Sequence, residues 1–166
     1  MRTAPVILIL SAVAACSSKI PTTDRGTAVV ERVVDGDTID VVIGGNRERV
    51  RLIGVDTPEI AHPASNGRPA NPAECFGDEA HRFTESLLPA GTEVRLTRDV
   101  VPRDDYGRLL AYVYVAGDGG VFVNLELARQ GYAQPMTIEP NDTLAATIVD
   151  AAVSAERSEV GLWNAC

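Results

Sequence analysis

Val50-Arg51-Leu52-Ile53-Gly54-Val55-Asp56-Thr57-Pro58-Glu59 decides how the rest of the chain is read. An apolar strand carries one arginine and then stops at a carboxylate, a hydroxyl, a proline and a second carboxylate. Alternation over 47–55 places Arg47, Arg49, Arg51, Ile53 and Val55 on one face. Arg51 thus shares a face with apolar neighbours, an odd place for a solvated charge. On a straight strand Arg51 and Asp56 would stand roughly 16 Å apart, at about 3.3 Å per residue. For both to serve one site the strand must curl, and Gly54 is the expected place for a bulge.

Asp35-Gly36-Asp37-Thr38 lies upstream and Asp105-Tyr106-Gly107-Arg108 downstream. The three segments supply carboxylates that suit a hard cation and guanidiniums that suit a phosphate. Calcium takes oxygen ligands, with water completing the shell. Asp37, Asp56 and the Thr57 carbonyl form a sparse set of that kind. Pro58 fixes its own φ and biases Thr57 toward extended geometry, so Glu59 can stand near the cation without binding it. Arg51 and Arg108 can each make planar, paired bonds to phosphate oxygens. Cleaving an anionic ester needs such a cation, a base for water, and donors that favour the more highly charged transition state. Taken singly, Asp37 reads as a solvated hairpin residue, Asp56 as a turn carboxylate and Arg108 as an edge-strand charge.

The chain has 166 residues, 45 % of them hydrophobic, and a net charge of −8, with a pI near 4.7. This fits one globular domain with a real core. It is the wrong sign for a protein that holds DNA by general electrostatics, which argues against a chromatin-like binder. An enzyme that meets one phosphate at a time through local charges is compatible with it.

Residues 1–15 read as a signal peptide, with Arg2 before the apolar run from Val6 to Leu10. Val13-Ala14-Ala15-Cys16 resembles the lipobox of bacterial lipoproteins, which makes Cys16 the expected lipidation site. A membrane would then be met only through that anchor. Residues 16–26 form a polar tether, and the folded domain is expected over 27–166. Cys75 and Cys166 remain, and in an oxidising compartment they are expected to bridge.

Further strands are expected over 27–34, 37–43, 92–97 and 109–115, with a hairpin at Asp35-Gly36. A last strand begins at Tyr132-Ala133. Residues 60–73 are loop, and His62 within it reads as a solvent-exposed side chain. A helix over 74–88 would bury Phe76, Ala80, Phe83 and Leu87. A short helix over 123–130 would turn Leu125 and Ala128 inward. Asn141 or Asp142 would cap a third helix, whose buried stripe is Leu144, Ile148, Ala151, Ala152 and Ala155.

These segments resemble the staphylococcal nuclease (thermonuclease) family. The matching stretches are DGDT at 35–38, RLIGVDTPE at 51–59, ECFGDEA at 74–80, DYGRLLAYVY at 105–114, VNLELARQGYA at 123–133, EPNDT at 139–143 and GLW at 161–163. They follow the family's order. The resemblance implies an α+β protein, a five-stranded OB-fold barrel with three helices, that hydrolyses DNA and RNA with calcium to leave 3′-phosphates. Asp37, Asp56 and the Thr57 carbonyl match the calcium ligands, and Glu59 the proposed general base. Arg51 and Arg108 match the phosphate-clamping arginines, and Tyr106 a residue near the nucleotide's 5′ phosphate. The molecule is expected to be a monomer.

Two positions depart from the family pattern. Asp105 stands where the type member has a lysine. The stretch Gln134-Pro135-Met136-Thr137-Ile138 carries none of the tyrosines that flank the bound base there. A stacked base is worth about 1–3 kcal/mol, so substrate affinity and base preference are expected to depart from the type member's, while the hydrolytic set is intact. The alternatives are a catalytically silent OB-fold module binding nucleic acid, and a calcium-stabilised domain of the envelope.

Overall fold

The computed structural model of the chain describes residues 27–64 and 69–166. The expected signal peptide, Cys16, the tether and the middle of the long loop lie outside the described residues.

Strand β1 (Thr27–Asp35) returns through a turn at Gly36-Asp37 into β2 (Thr38–Ile43), with Asp35 opposite Thr38. Strand β3 (Asn46–Leu52) lies antiparallel to β2, setting Thr38 opposite Arg51, Asp40 opposite Arg49 and Val42 opposite Arg47.

The third strand stops earlier than its hydrophobic pattern suggests. After Leu52 the chain turns, and Gly54 adopts φ +86°, a conformation open to glycine and strained for other residues. A Cβ there would lie 2.5 Å from Ile148 Cδ1. Gly54 therefore does not bulge a continuous strand but starts a new one, β4 (Gly54–Asp56), which joins a separate two-stranded sheet.

Helix α1 (Gly77–Leu87) follows and leads into β5 (Glu93–Thr97), then β6 (Leu109–Val115). Strand β6 pairs in parallel with β3, Val50 opposite Leu109, and antiparallel with β5, which closes onto β1. The barrel order β1-β2-β3-β6-β5 is closed, so no edge of it is left unpaired. This is the expected five-stranded OB-type barrel. Ile39, Val41, Val50, Leu52, Val94 and Val113 are buried within the core.

Helix α2 (Val123–Arg129) buries Val123, Asn124, Leu127 and Ala128. Leu125, expected inward, is only half-buried. The fully buried Asn124 explains this rotation. Its Oδ1 accepts from the Val113 amide at 2.8 Å, and its Nδ2 donates to the carbonyls of Ile53 at 2.8 Å and Ala111 at 3.3 Å. The carbonyl left over where β3 breaks is thereby satisfied. Strand β7 (Gln134–Met136) pairs with β4 outside the barrel, Asp56 opposite Gln134.

Helix α3 (Ala145–Arg157) buries Ile148, Ala152 and Ala155 as expected, but no side chain caps it. Asn141 instead brackets Val101, accepting from its amide and donating to its carbonyl. Helix α1 starts at Gly77 rather than at 74, and Phe76 precedes it with φ 70°. Phe76 and Phe83 stack on Tyr132 with ring centroids 5.3 and 4.0 Å away. A one-turn helix α4 (Leu162–Ala165) is added to the expected three, and a Cys75–Cys166 disulfide ties it to the approach of α1. No helix of the described residues is long and apolar enough to cross a membrane.

The bridge spans 91 residues of sequence. In the chain-entropy account a loop of that size stabilises by about 4–5 kcal/mol. Cys166→Ser should therefore lower the urea-unfolding free energy by about that much. A loss below about 1 kcal/mol would mean that α4 is held by its packing alone.

Candidate active site

Arg51 is 4 % exposed. A guanidinium so placed must find partners for its charge and its N–H groups. Nη1 donates to the carbonyls of Leu52 at 2.7 Å and Val55 at 2.6 Å. Nη2 lies 3.0 Å from Asp37 Oδ2 and 2.7 Å from Asp56 Oδ1. The break at Gly54 makes this possible: it folds β4 back so that Asp56 returns to Arg51.

Asp37 is also buried. It accepts from the Thr57 amide at 3.1 Å and from Thr38 Oγ1 at 2.9 Å. Burial raises its pKa and wins over the neighbouring Arg51, while Asp56 adds to the rise. The Thr57 side chain packs against the hairpin, where a Cβ on Gly36 would stand 2.6 Å from Thr57 Oγ1. Glycine at that position is what lets the turn approach so closely. Thr57 Oγ1 is buried and has no hydrogen-bond partner among the described residues. From behind, Thr84 Oγ1 of α1 donates to the Gly36 carbonyl at 2.6 Å.

Glu59 belongs to an adjoining group. Its carboxylate lies beside Asp35 and 3.3 Å from His62 Nε2, and that nitrogen is 3.7 Å from Asp35 Oδ2. One ligand atom from each of Asp35, Glu59 and His62 falls within 4.8 Å of the others. The hydrogen bond with Asp35, then burial and repulsion from Asp35, raise the Glu59 pKa, and His62 opposes them. The Glu59 backbone is held by Glu74, whose Oε2 accepts from the Glu59 amide and whose own amide donates to the Glu59 carbonyl.

His62 is therefore no isolated loop residue. It meets two carboxylates and pairs through its backbone with Asn71 across the long loop. Asp35 and His62 are the two site neighbours that reasoning from sequence missed. Asp35 reads as an ordinary turn residue, and the three-residue spacing from Glu59 to His62 is the clue that the chain offers.

Arg108 and Tyr106 stand one strand away, in the turn before β6. Asp104 organises that turn by accepting from the Tyr106 and Arg108 amides and from Arg108 Nε at 2.6 Å. Burial pushes the Asp104 carboxyl up, but the bonds from Arg108 outweigh it and the group titrates below its ordinary value. Tyr106 is 82 % exposed, and the Arg108 guanidinium lies 5.4 Å from its ring centroid. The fold thus brings Asp37, Arg51, Asp56 and Thr57 into one cluster. It sets Glu59 beside that cluster through the turns at Gly36 and Pro58, and it leaves Arg108 and Tyr106 on the rim of the neighbouring strand.

The family model described as staphylococcal nuclease homologue matches residues 49–165. The chain belongs to the staphylococcal nuclease family. It is similar to the thermonuclease of Staphylococcus intermedius, with 40 % identity over 88 % of this chain and 82 % of that protein. The thermonuclease of Staphylococcus hyicus is 35 % identical over 89 % of this chain and 82 % of its own length. Endonuclease YhcR of Bacillus subtilis is 34 % identical over 82 % of this chain, which spans 11 % of that larger protein. In this staphylococcal nuclease domain Asp37, Arg51 and Thr57 are buried, while the Asp56 and Glu59 carboxylates beside them are half exposed.

Two raised carboxylates have a measurable consequence. A pKa raised in the folded state means that the native protein binds more protons than the unfolded chain. Stability then falls as pH rises above the ordinary carboxylate range, which for Glu59 is near 4.5. Glu59→Gln removes its share of this fall. In urea unfolding without divalent ions, from about pH 5 to about pH 8, the variant should lose less stability than the native protein. Parallel pH curves would show that Asp35 and Glu59 do not repel in solution.

Proposed function

We propose that this protein is a calcium-dependent phosphodiesterase that hydrolyses DNA and RNA to leave 3′-phosphates. One observation carries the proposal. Two aspartates converge on a buried arginine beside a buried threonine hydroxyl that has no hydrogen-bond partner among the described residues, with a raised-pKa glutamate in the adjoining turn.

The donors fit a hard cation, because every group in the first cluster other than Arg51 offers oxygen. Asp37, Asp56 and the Thr57 carbonyl would hold it. When bound, calcium supplies positive charge against the phosphate and a site for water. Glu59 accepts the proton of the attacking water. Its raised pKa moves it toward the working pH, where a general base is most effective. Asp35 and His62 keep its carboxylate in place. Arg51 and Arg108 bind the phosphate and favour its transition state. For Arg51 this requires release of a bond to Asp56, whose side chain is 54 % exposed and so free to turn.

We further infer that the protein works outside the cytoplasm as a monomer, anchored through lipid on Cys16. The apolar leader and the lipobox-like Val13-Ala14-Ala15-Cys16 support this. A Cys75–Cys166 disulfide also suits an oxidising compartment. The buried, fully engaged Arg51 Nη atoms favour a second reading, a binding module without catalysis.

Release of acid-soluble nucleotides from DNA and RNA separates the two. Activity should require calcium and disappear with chelator. Glu59→Gln should lower kcat by about 10²–10⁴-fold, and Arg108→Ala by about 10²–10³-fold. Release that survives chelation, or full activity in Glu59→Gln, would remove the proposed chemistry.

A further inference from the structure

Beside the Arg51 cluster, a groove of about 1150 Å³ opens over β1, β2 and β3 and the turn that carries Tyr106 and Arg108. Arg32, Arg47, Arg49, Arg108 and Tyr106 line it, together with Glu31, Asp40 and Glu48. Four arginines against three carboxylates leave the lining net positive, on a chain of net charge −8. Arg47, Arg49 and Arg51 recur at two-residue spacing along β3, about 7 Å per step. That interval is commensurate with the phosphates of an extended single strand.

Carboxylates hold the guanidiniums without saturating them. Asp40 accepts from Arg49 Nε at 2.7 Å and Nη2 at 3.1 Å, and lies 2.7 Å from Arg32 Nη2. Arg47 is paired with Glu31 through Nη2 alone. A guanidinium has five N–H donors, so Arg32 and Arg47 keep most of theirs for a further anion. Their side chains are 60 % and 79 % exposed. The pairs orient the heads, which reduces the ordering that a bound phosphate would otherwise require. Tyr106 presents an open ring on which a base can stack. Barrels of this topology offer the same strand faces to oligonucleotides.

We propose that this groove is an extended binding site for single-stranded polynucleotide. The strand leading away from the cleaved phosphate sets successive phosphates on Arg49 and Arg47, with Arg32 flanking Arg49 across Asp40, and stacks one base on Tyr106. The groove supplies affinity that the chain lacks at 134–138, where no aromatic stands. This deepens the nuclease proposal above and rests on it.

The test compares a long single-stranded DNA with a small aryl diester of one nucleotide, using Arg47→Gln/Arg49→Gln in the full chain. For the long DNA, kcat/KM should fall about tenfold, mostly through KM. Its dependence on log salt should become shallower by about 1.4, or about 0.7 for each phosphate that the variant no longer neutralises. The small diester should be cleaved within about twofold of the native rate. Equal losses on both substrates, or no loss on either, would overturn the groove. Arg47→Gln alone leaves the Arg49–Asp40 pair intact and should show half the change in slope, should the double variant fail to fold. If the native protein cleaves neither substrate, the catalytic reading fails. Fluorescence anisotropy with a labelled oligonucleotide then judges the groove by itself: tighter binding to native than to variant protein upholds it, and equal binding refutes it.

Discussion

A guanidinium cannot be taken out of water unless negative charge and acceptors meet it. Arg51 is buried, and four groups close on it: the Leu52 and Val55 carbonyls and the Asp37 and Asp56 carboxylates. Those contacts hold together pieces that the barrel alone would not join. They tie the β1–β2 turn to β3, and they hold β4 after it has left the barrel. The carbonyls around the break at Gly54 are shared between Arg51 on one side and Asn124 on the other. The site is therefore built from the repair of a broken strand.

The same charges set the balance for function. Burial works against the ionised form of Asp37 even with Arg51 beside it. Asp35 works against the ionised form of Glu59. Two turns thus crowd negative charge that one arginine does not fully offset. A divalent cation relieves such crowding, and a phosphate on its own would worsen it. Cation and substrate are accordingly expected to favour each other's binding, since each supplies the charge the other lacks.

Much of this is legible in the residues. The strand pattern and the Gly-rich turns mark the barrel strands, because burial on a closed sheet imposes alternation and turns impose special residues. The ordered set from Asp37 to Arg108 marks the candidate site. What cannot be read are features set by tertiary packing. The strand break at Gly54 depends on Ile148, far along the chain, occupying the space a side chain would need. The rotation of α2 depends on Asn124 answering three backbone groups of other elements. Asn141 would cap a helix in isolation, but it pairs with Val101 because the loop after β5 passes there. His62 reads as solvated because nothing local shows that Asp35 comes back to meet it.

The barrel is sealed by pairings distant in sequence, β1 with β5 and β3 with β6. The carboxylates and Arg51 lie within one early stretch, whereas Arg108 is carried in by the turn before β6. Such remote pairings form late compared with hairpins. The Arg51 cluster itself also waits for later elements, because Ile148 of α3 fills the space at Gly54 and Asn124 of α2 takes the Ile53 carbonyl. An unfinished chain therefore lacks both those supports and the second guanidinium.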